Sequence, residues 1–189
     1  MRRSIYVETV IRADPERLWR VTQDPAEHAR WDLRFSSITY LAGSAGRFRY
    51  ATRVLPGVRI AGTGVTRSAG RRTSALVFGS EHPLSLIRSG SGYWRYVPSA
   101  EGIRFLTGYD YAVRWGAAGR VADRLFRPLI GWATAWSFDR LRIWLETGVP
   151  PEGAVRRALA TWLVRPGAPL PTVPSAGRCL RTPARQEHP

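Results

Sequence analysis

The sequence predicts a two-layer α+β domain in which an antiparallel sheet packs against one long helix towards the C-terminal end. Three observations carry that expectation. A stretch from Gly119 to Gly148 keeps apolar residues at helical spacing, short alternating runs between turn residues fill the chain from Leu33 to Trp115, and two capped helices follow the first strand.

Ser4 to Arg12 alternates as a strand, with Ile5, Val7, Thr9 and Ile11 on one side. Asp14-Pro15-Glu16 then supplies an N-cap, a proline whose missing N–H is harmless at the first helical position, and a first-turn acid. A short helix through Leu18, Trp19 and Val21 follows. Asp24-Pro25-Ala26-Glu27 repeats the signal with Glu27 at the third position of a capping box, so a second short helix runs to about Trp31.

Ile38 and Tyr40 share one face of the second strand. In the third, Phe48, Tyr50, Thr52 and Val54 face one way while Arg47, Arg49 and Arg53 face solvent. Pro56-Gly57 turns the chain into Val58 to Thr66, where Gly62 and Gly64 share the parity of Val58 and Ile60 and mark a bulge or open space. Arg72 to Gly79 is the next strand, His82-Pro83 breaks the pattern before Leu84 to Arg88, and Gly90-Ser91-Gly92 loosens the backbone. With Ser99 to Gly102 as the loop of the last hairpin, Tyr96 lies across from Phe105, Trp94 from Thr107 and Arg95 from Leu106. Ile103, Phe105, Thr107, Tyr109, Tyr111, Val113 and Trp115 then form one apolar and aromatic face, which should meet the long helix.

In that helix Val121, Leu125, Leu129, Trp132, Trp136 and Ile143 form the stripe, and the middle from Leu129 to Trp136 is apolar nearly all round, which predicts enclosure. A span of roughly 40 Å matches a whole small domain, so only a sheet wrapped along the helix can bury it. Pro128 removes a hydrogen bond at roughly 3 kcal/mol and predicts a bend, with the helix continuing. Pro150-Pro151 ends it. Glu152 to Arg165 can form one more amphipathic helix, with Val155, Leu159 and Trp162 on a side suited to docking, first on the domain itself and otherwise in a partner groove or on an anionic membrane surface. Six prolines in the final 24 residues, without apolar periodicity, predict a disordered tail. The organisation is thus a domain at 1–148, a short helix at 149–165 and a Pro/Arg-rich tail at 166–189.

With 44% apolar residues and 8 Trp among 189, the chain can bury one sizeable core. All 29 basic residues are arginine, and the net charge is +15. The arginines are scattered instead of gathered on one face, so nucleic acid is not the expected natural partner. No run reaches the roughly 20 apolar residues of a membrane span, the start alternates, and the single Cys179 cannot form an internal disulfide. A cytoplasmic protein is expected, with Cys179 incidental.

Motifs of nucleophilic, nucleotide-binding and dinucleotide-binding enzymes are missing. His28, His82 and His188 are far apart and lack partners at ligand spacing, so neither a metal nor a cofactor is expected. His82 reads as a turn residue or as an acid or base at a cavity mouth. Asp110 reads as half of a surface ion pair. Taken singly, Tyr50, Trp94, Tyr96, Phe105, Tyr109, Trp132 and Trp136 fit an ordinary core. Together, their polar tips on inward faces suit a cavity holding an amphipathic ligand, with Trp31 at its entrance.

The element order, with the opening IRADPERLWRVTQDPAEHARWD and the closing DRLFRPLIGWATAWSFDRLRIWLETG, resembles the START-like (SRPBCC) superfamily and its polyketide cyclase/dehydrase-like branch. The resemblance covers about residues 4 to 148. It implies a helix-grip fold, about seven antiparallel strands curled round the long helix with a hydrophobic cavity between. Binding of a lipid, isoprenoid or polyketide is then the leading expectation. A cyclase or dehydratase using His82, Tyr96 or Tyr109 is the alternative, and a basic protein docking on an anionic membrane surface or nucleic acid is the second.

Overall fold

The computed structural model describes residues 4–44, 46–55, 58–70, 72–164 and 170–183. Seven strands, β1 (Ile5–Ile11), β2 (Ser37–Tyr40), β3 (Arg47–Leu55), β4 (Val58–Gly70), β5 (Thr73–Gly79), β6 (Ile87–Ser99) and β7 (Gly102–Val113), form one antiparallel sheet in the order β1-β7-β6-β5-β4-β3-β2. Helices α1 (Pro15–Gln23) and α2 (Pro25–Trp31) fill the β1–β2 connection, α3 (Gly116–Thr147) closes the domain, and α4 (Ala154–Val164) follows. This is the helix-grip architecture.

Local chemistry explains the elements. Asp14 Oδ1 accepts the Arg17 N–H at 2.8 Å, and Asp24 Oδ1 accepts the Ala26 N–H at 2.8 Å, so each aspartate satisfies a free donor of the helix that its following proline begins. The reciprocal half of the expected capping box is missing, because Glu27 instead accepts from Arg30 at 2.8 Å. The last hairpin has the predicted register, Trp94 with Thr107, Arg95 with Leu106 and Tyr96 with Phe105. Along β7, Phe105 stacks on Phe138 with ring centroids 4.6 Å apart, and the Tyr109 and Tyr111 phenols reach Thr134 and Asp123 at 2.7 Å each. Trp115 departs from that face. It precedes α3 in the left-handed region, φ 62°, with its side chain exposed. Asp110 does form an ion pair, with Arg127 at 2.7 Å.

Gly62 and Gly64 mark neither a bulge nor empty space. They face Tyr50 and Phe48 across the β3–β4 pair, and a Cβ on either would lie 2.3 Å from the facing ring. The glycines let two aromatic rings lie flat on the sheet, and the β4 irregularity falls at Thr66/Ser68. The same device places the Phe78 ring over Gly90, so 90–92 is continuous strand instead of loosened backbone. Leu84 to Leu86 precedes β6 and is not strand. The Pro56-Gly57 turn lies outside the described residues.

The helix α3 runs through Pro128 without ending. Its burial is uneven. Residues Thr134 to Leu145 are nearly all buried under β1 and β7, whereas Leu129 and Trp132, expected to be enclosed, are exposed, because the sheet stands off from α3 there to leave a cavity, with Leu129 on its wall and Trp132 off it. In α4 the covered positions are Ala154 and, in part, Ala158. Val155, Leu159 and Trp162 stay exposed, so the side expected to dock on the domain does not.

The expected disordered tail is corrected over 170–183. Asp139, fully buried on α3, accepts the Ser175 N–H at 2.8 Å and the Arg178 guanidinium at 2.9 Å, and Cys179 is buried with its thiol donating to the Ala135 carbonyl at 3.2 Å. Burial pushes that thiol up to about 12. Leu180 exchanges both backbone hydrogen bonds with Glu8, at 2.8 and 2.9 Å, covering the free edge of β1. Ordering here comes from polar anchors on a buried carboxylate, which apolar periodicity cannot reveal. Residues 165–169 and 184–189 lie outside the described residues.

Candidate functional site

A cavity of about 580 Å³ lies between the sheet, α2 and the N-terminal half of α3. Alternation places its walls: Ile38 and Tyr40 from β2, Phe48, Tyr50 and Thr52 from β3, Leu76 and Phe78 from β5, and Thr107 and Tyr109 from β7 point inward on successive strands. From α3, Phe126, Leu129, Ile130 and Ala133 close it, a set at helical spacing. Exposed Leu84 and Leu129 are also wall residues, which puts them at the mouth.

Among the polar groups of the wall, one cluster is built round a buried carboxylate. His28 and Arg34 belong to the wall, and Asp32 stands fully buried behind them. The His28 Nε2–H donates to Asp32 Oδ2 at 3.1 Å, while Arg34 donates through Nε to Oδ1 at 2.9 Å and through Nη2 to Oδ2 at 2.6 Å. Burial alone would raise the Asp32 carboxyl, but the Arg34 guanidinium and His28 hold it well below the ordinary carboxylate range. The His28 ring is clamped between Trp31, stacked at 4.8 Å, and Trp94 at 4.9 Å.

The aromatic residues picked from sequence divide. Tyr50, Trp94 and Tyr109 line the cavity. Trp31 and Phe105 are fully buried core, with the Trp31 indole donating to the Val21 carbonyl at 2.9 Å. Trp132 and Trp136 stack on each other 6.4 Å apart away from the wall, since a two-residue step from Ile130 turns a side chain about 200° round the helix. Tyr96 also lies off the wall. Thr22 Oγ1 has its own proton directed to the Leu18 carbonyl at 2.9 Å, so the Tyr96 hydroxyl donates to Thr22 at 2.7 Å while accepting from Gln23 at 3.0 Å. Burial raises the Tyr96 phenol to about 12. By the same logic Thr134 donates to Ile130 at 2.7 Å and receives the Tyr109 proton. His82 is a turn residue, its Nδ1 accepting the Leu84 N–H at 3.2 Å.

Sequence reading missed His28, Asp32 and Arg34. It sought metal-ligand spacings, whereas the legible signal was the four-residue step from His28 to Asp32 at the end of a helix.

The sequence profile described as polyketide cyclase/dehydrase and lipid transport matches residues 2–167. An "uncharacterized membrane protein YndG" of Bacillus subtilis (strain 168) is 50% identical over 165 residues, 82% of this chain and 62% of that protein. The chain thus spans less than two thirds of that relative's length. No described helix is long and apolar enough to cross a membrane. Among solved structures, TTHA0849 from Thermus thermophilus superposes with a TM-score of 0.59 at 17% identity, covering 77% of this chain and 99% of that one. The di-domain ARO/CYC StfQ from the steffimycin biosynthetic pathway gives 0.61 at 11% identity, covering 76% of this chain and 50% of that one. At such identities the structures show a shared fold, and the profile match, running over most of the chain, shows the family: this protein belongs to the polyketide cyclase/dehydrase and lipid transport family.

Proposed function

We propose that the protein binds a hydrophobic or amphipathic small molecule, of the lipid, isoprenoid or polyketide kind, between the sheet and α3. The observation that carries this reading is the cavity itself. Its volume of about 580 Å³ falls within the roughly 300–1,000 Å³ of ligand sites, and its walls are apolar with a few convergent polar groups. Catalysis is the weaker reading, because the Tyr96 and Tyr109 protons are committed inside the protein and His82 does not reach the cavity. Among the described residues, His28 is the one histidine on the cavity wall. Titration with an environment-sensitive apolar dye tests the binding reading. Saturable uptake is expected, and Leu76→Trp, which puts an indole into the cavity, should abolish it. Dye uptake unaffected by that substitution would place binding elsewhere.

A second reading concerns where the mouth faces. Leu84 (61% exposed) and Leu129 (60%) rim the mouth, Leu125 (81%) and Trp132 (43%) extend that exposed apolar surface along α3 beside Leu129, and Arg120 and Arg124 lie on the same helix. Such a surface suits an anionic bilayer, with cytoplasmic peripheral docking in place of spanning. The relative's name as a membrane protein supports that direction. Co-sedimentation with phosphatidylglycerol vesicles should fall several-fold in Leu125→Asp/Trp132→Asp. Equal binding of that variant would exclude the rim as the docking surface.

A further inference from the structure

We infer that the cavity takes a molecule whose polar end is a carboxylate, received at Arg34, with its apolar body among Phe48, Ile60, Leu76 and Phe78. This rests on the ligand-binding reading above and names the class of ligand. The wall carries formal charge of one sign. Among the described residues, Arg34 and Arg53 belong to it, and no aspartate or glutamate does. Asp32 lies behind the wall, fully buried, so it anchors Arg34 without facing an occupant.

The anchoring is directional. Asp32 receives Nε and Nη2 of Arg34, which fixes one edge of the planar guanidinium, and the group also lies within hydrogen-bonding reach of the Tyr109 hydroxyl, 5.5 Å from the centre of that ring. A long side chain held this way presents its remaining N–H donors without the entropy cost of ordering it on binding. A carboxylate oxygen there gains a charge-assisted hydrogen bond in apolar surroundings. Arg53 adds positive charge from the same wall, and the net charge of +15 attracts an anion from a distance. Phe48, Ile60, Leu76 and Phe78 offer the ligand's body no polar partner. The site therefore suits an amphiphile with one acidic end, such as a long-chain or isoprenoid acid.

The test is calorimetric titration of the full chain with three probes of one chain length: a saturated fatty acid, its alcohol and its methyl ester. The acid should bind at least about tenfold tighter than the other two, the scale of one charge-assisted hydrogen bond. In Arg34→Gln/Asp32→Asn, which removes both charges together, the preference should shrink to within about twofold while ester binding persists. Acid binding no tighter than the ester overturns the inference and leaves the cavity reading intact. If none of the three binds but the apolar dye is taken up, the inference likewise falls; if the dye fails too, the cavity reading falls with it. The probe comparison on the unaltered protein stands even if the double variant does not fold.

Discussion

Ending the chain at Val164 is expected to lower the melting temperature by roughly 10 °C relative to a chain ending at Pro183. The segment 170–183 supplies the Ser175 N–H and the Arg178 guanidinium to Asp139, which is fully buried on α3 and also accepts from Arg142 at 2.8 Å. Removing the segment deprives a buried carboxylate of two of its partners and uncovers the Ala135 face that Cys179 occupies. Breaking a buried charge network costs about 3–5 kcal/mol, and for a chain of this length each kcal/mol corresponds to about 2–4 °C. Asp139→Ala should bring a loss of similar size by leaving Arg142 and Arg178 without their shared acceptor. Thermal melts of both variants check this. Unchanged melting in both would mean that the segment does not hold the body together.

Asp32→Ala is the second large effect, expected at about 3–5 kcal/mol, because it leaves Arg34 unpaired in the cavity wall and removes the acceptor that orients His28. The acid limb gives a sharper readout. The folded Asp32 carboxyl titrates below its unfolded value of about 3.9, so its contribution is fully present above that value and is lost as pH falls below it towards the depressed folded value. Asp32→Asn should therefore be less stable at neutral pH and show a shallower loss of stability between about pH 4 and pH 2. Denaturant titrations across that range check it. An acid limb as steep as in the unaltered protein would mean that Asp32 is not held ionised by Arg34.

The fold was legible to the extent that it follows from periodicity. Alternation along β1 and β7 and the Asp-Pro caps of α1 and α2 are local patterns that a linear sequence records, whereas of the α3 stripe only Trp136 and Ile143 are buried and Val121, Leu125, Leu129 and Trp132 are exposed. What escaped was held by polar contacts between distant residues. Asp139 looks like any solvated helix residue until Arg178 and Ser175 arrive from 36 to 39 positions away. Gly62 and Gly64 looked like gaps because the rings that cover them belong to the neighbouring strand. In the candidate site, Tyr50, Trp94 and Tyr109 could be picked from strand parity, whereas Trp132 and Trp136 could not be placed without knowing which face of α3 meets the cavity. His28 and Asp32 were within reach, being one helical turn apart, but Arg34 joins them only through the bend after α2.

The most direct measurement of the central claim is native mass spectrometry of the protein purified from its own host, beside the Leu76→Trp variant prepared in the same way. The expected result is an added mass of a small apolar or amphipathic molecule on the unaltered protein that is released on denaturation and is missing from the variant. Repeated absence of any such mass from the unaltered protein, or its equal retention by Leu76→Trp, would contradict the cavity as the seat of function.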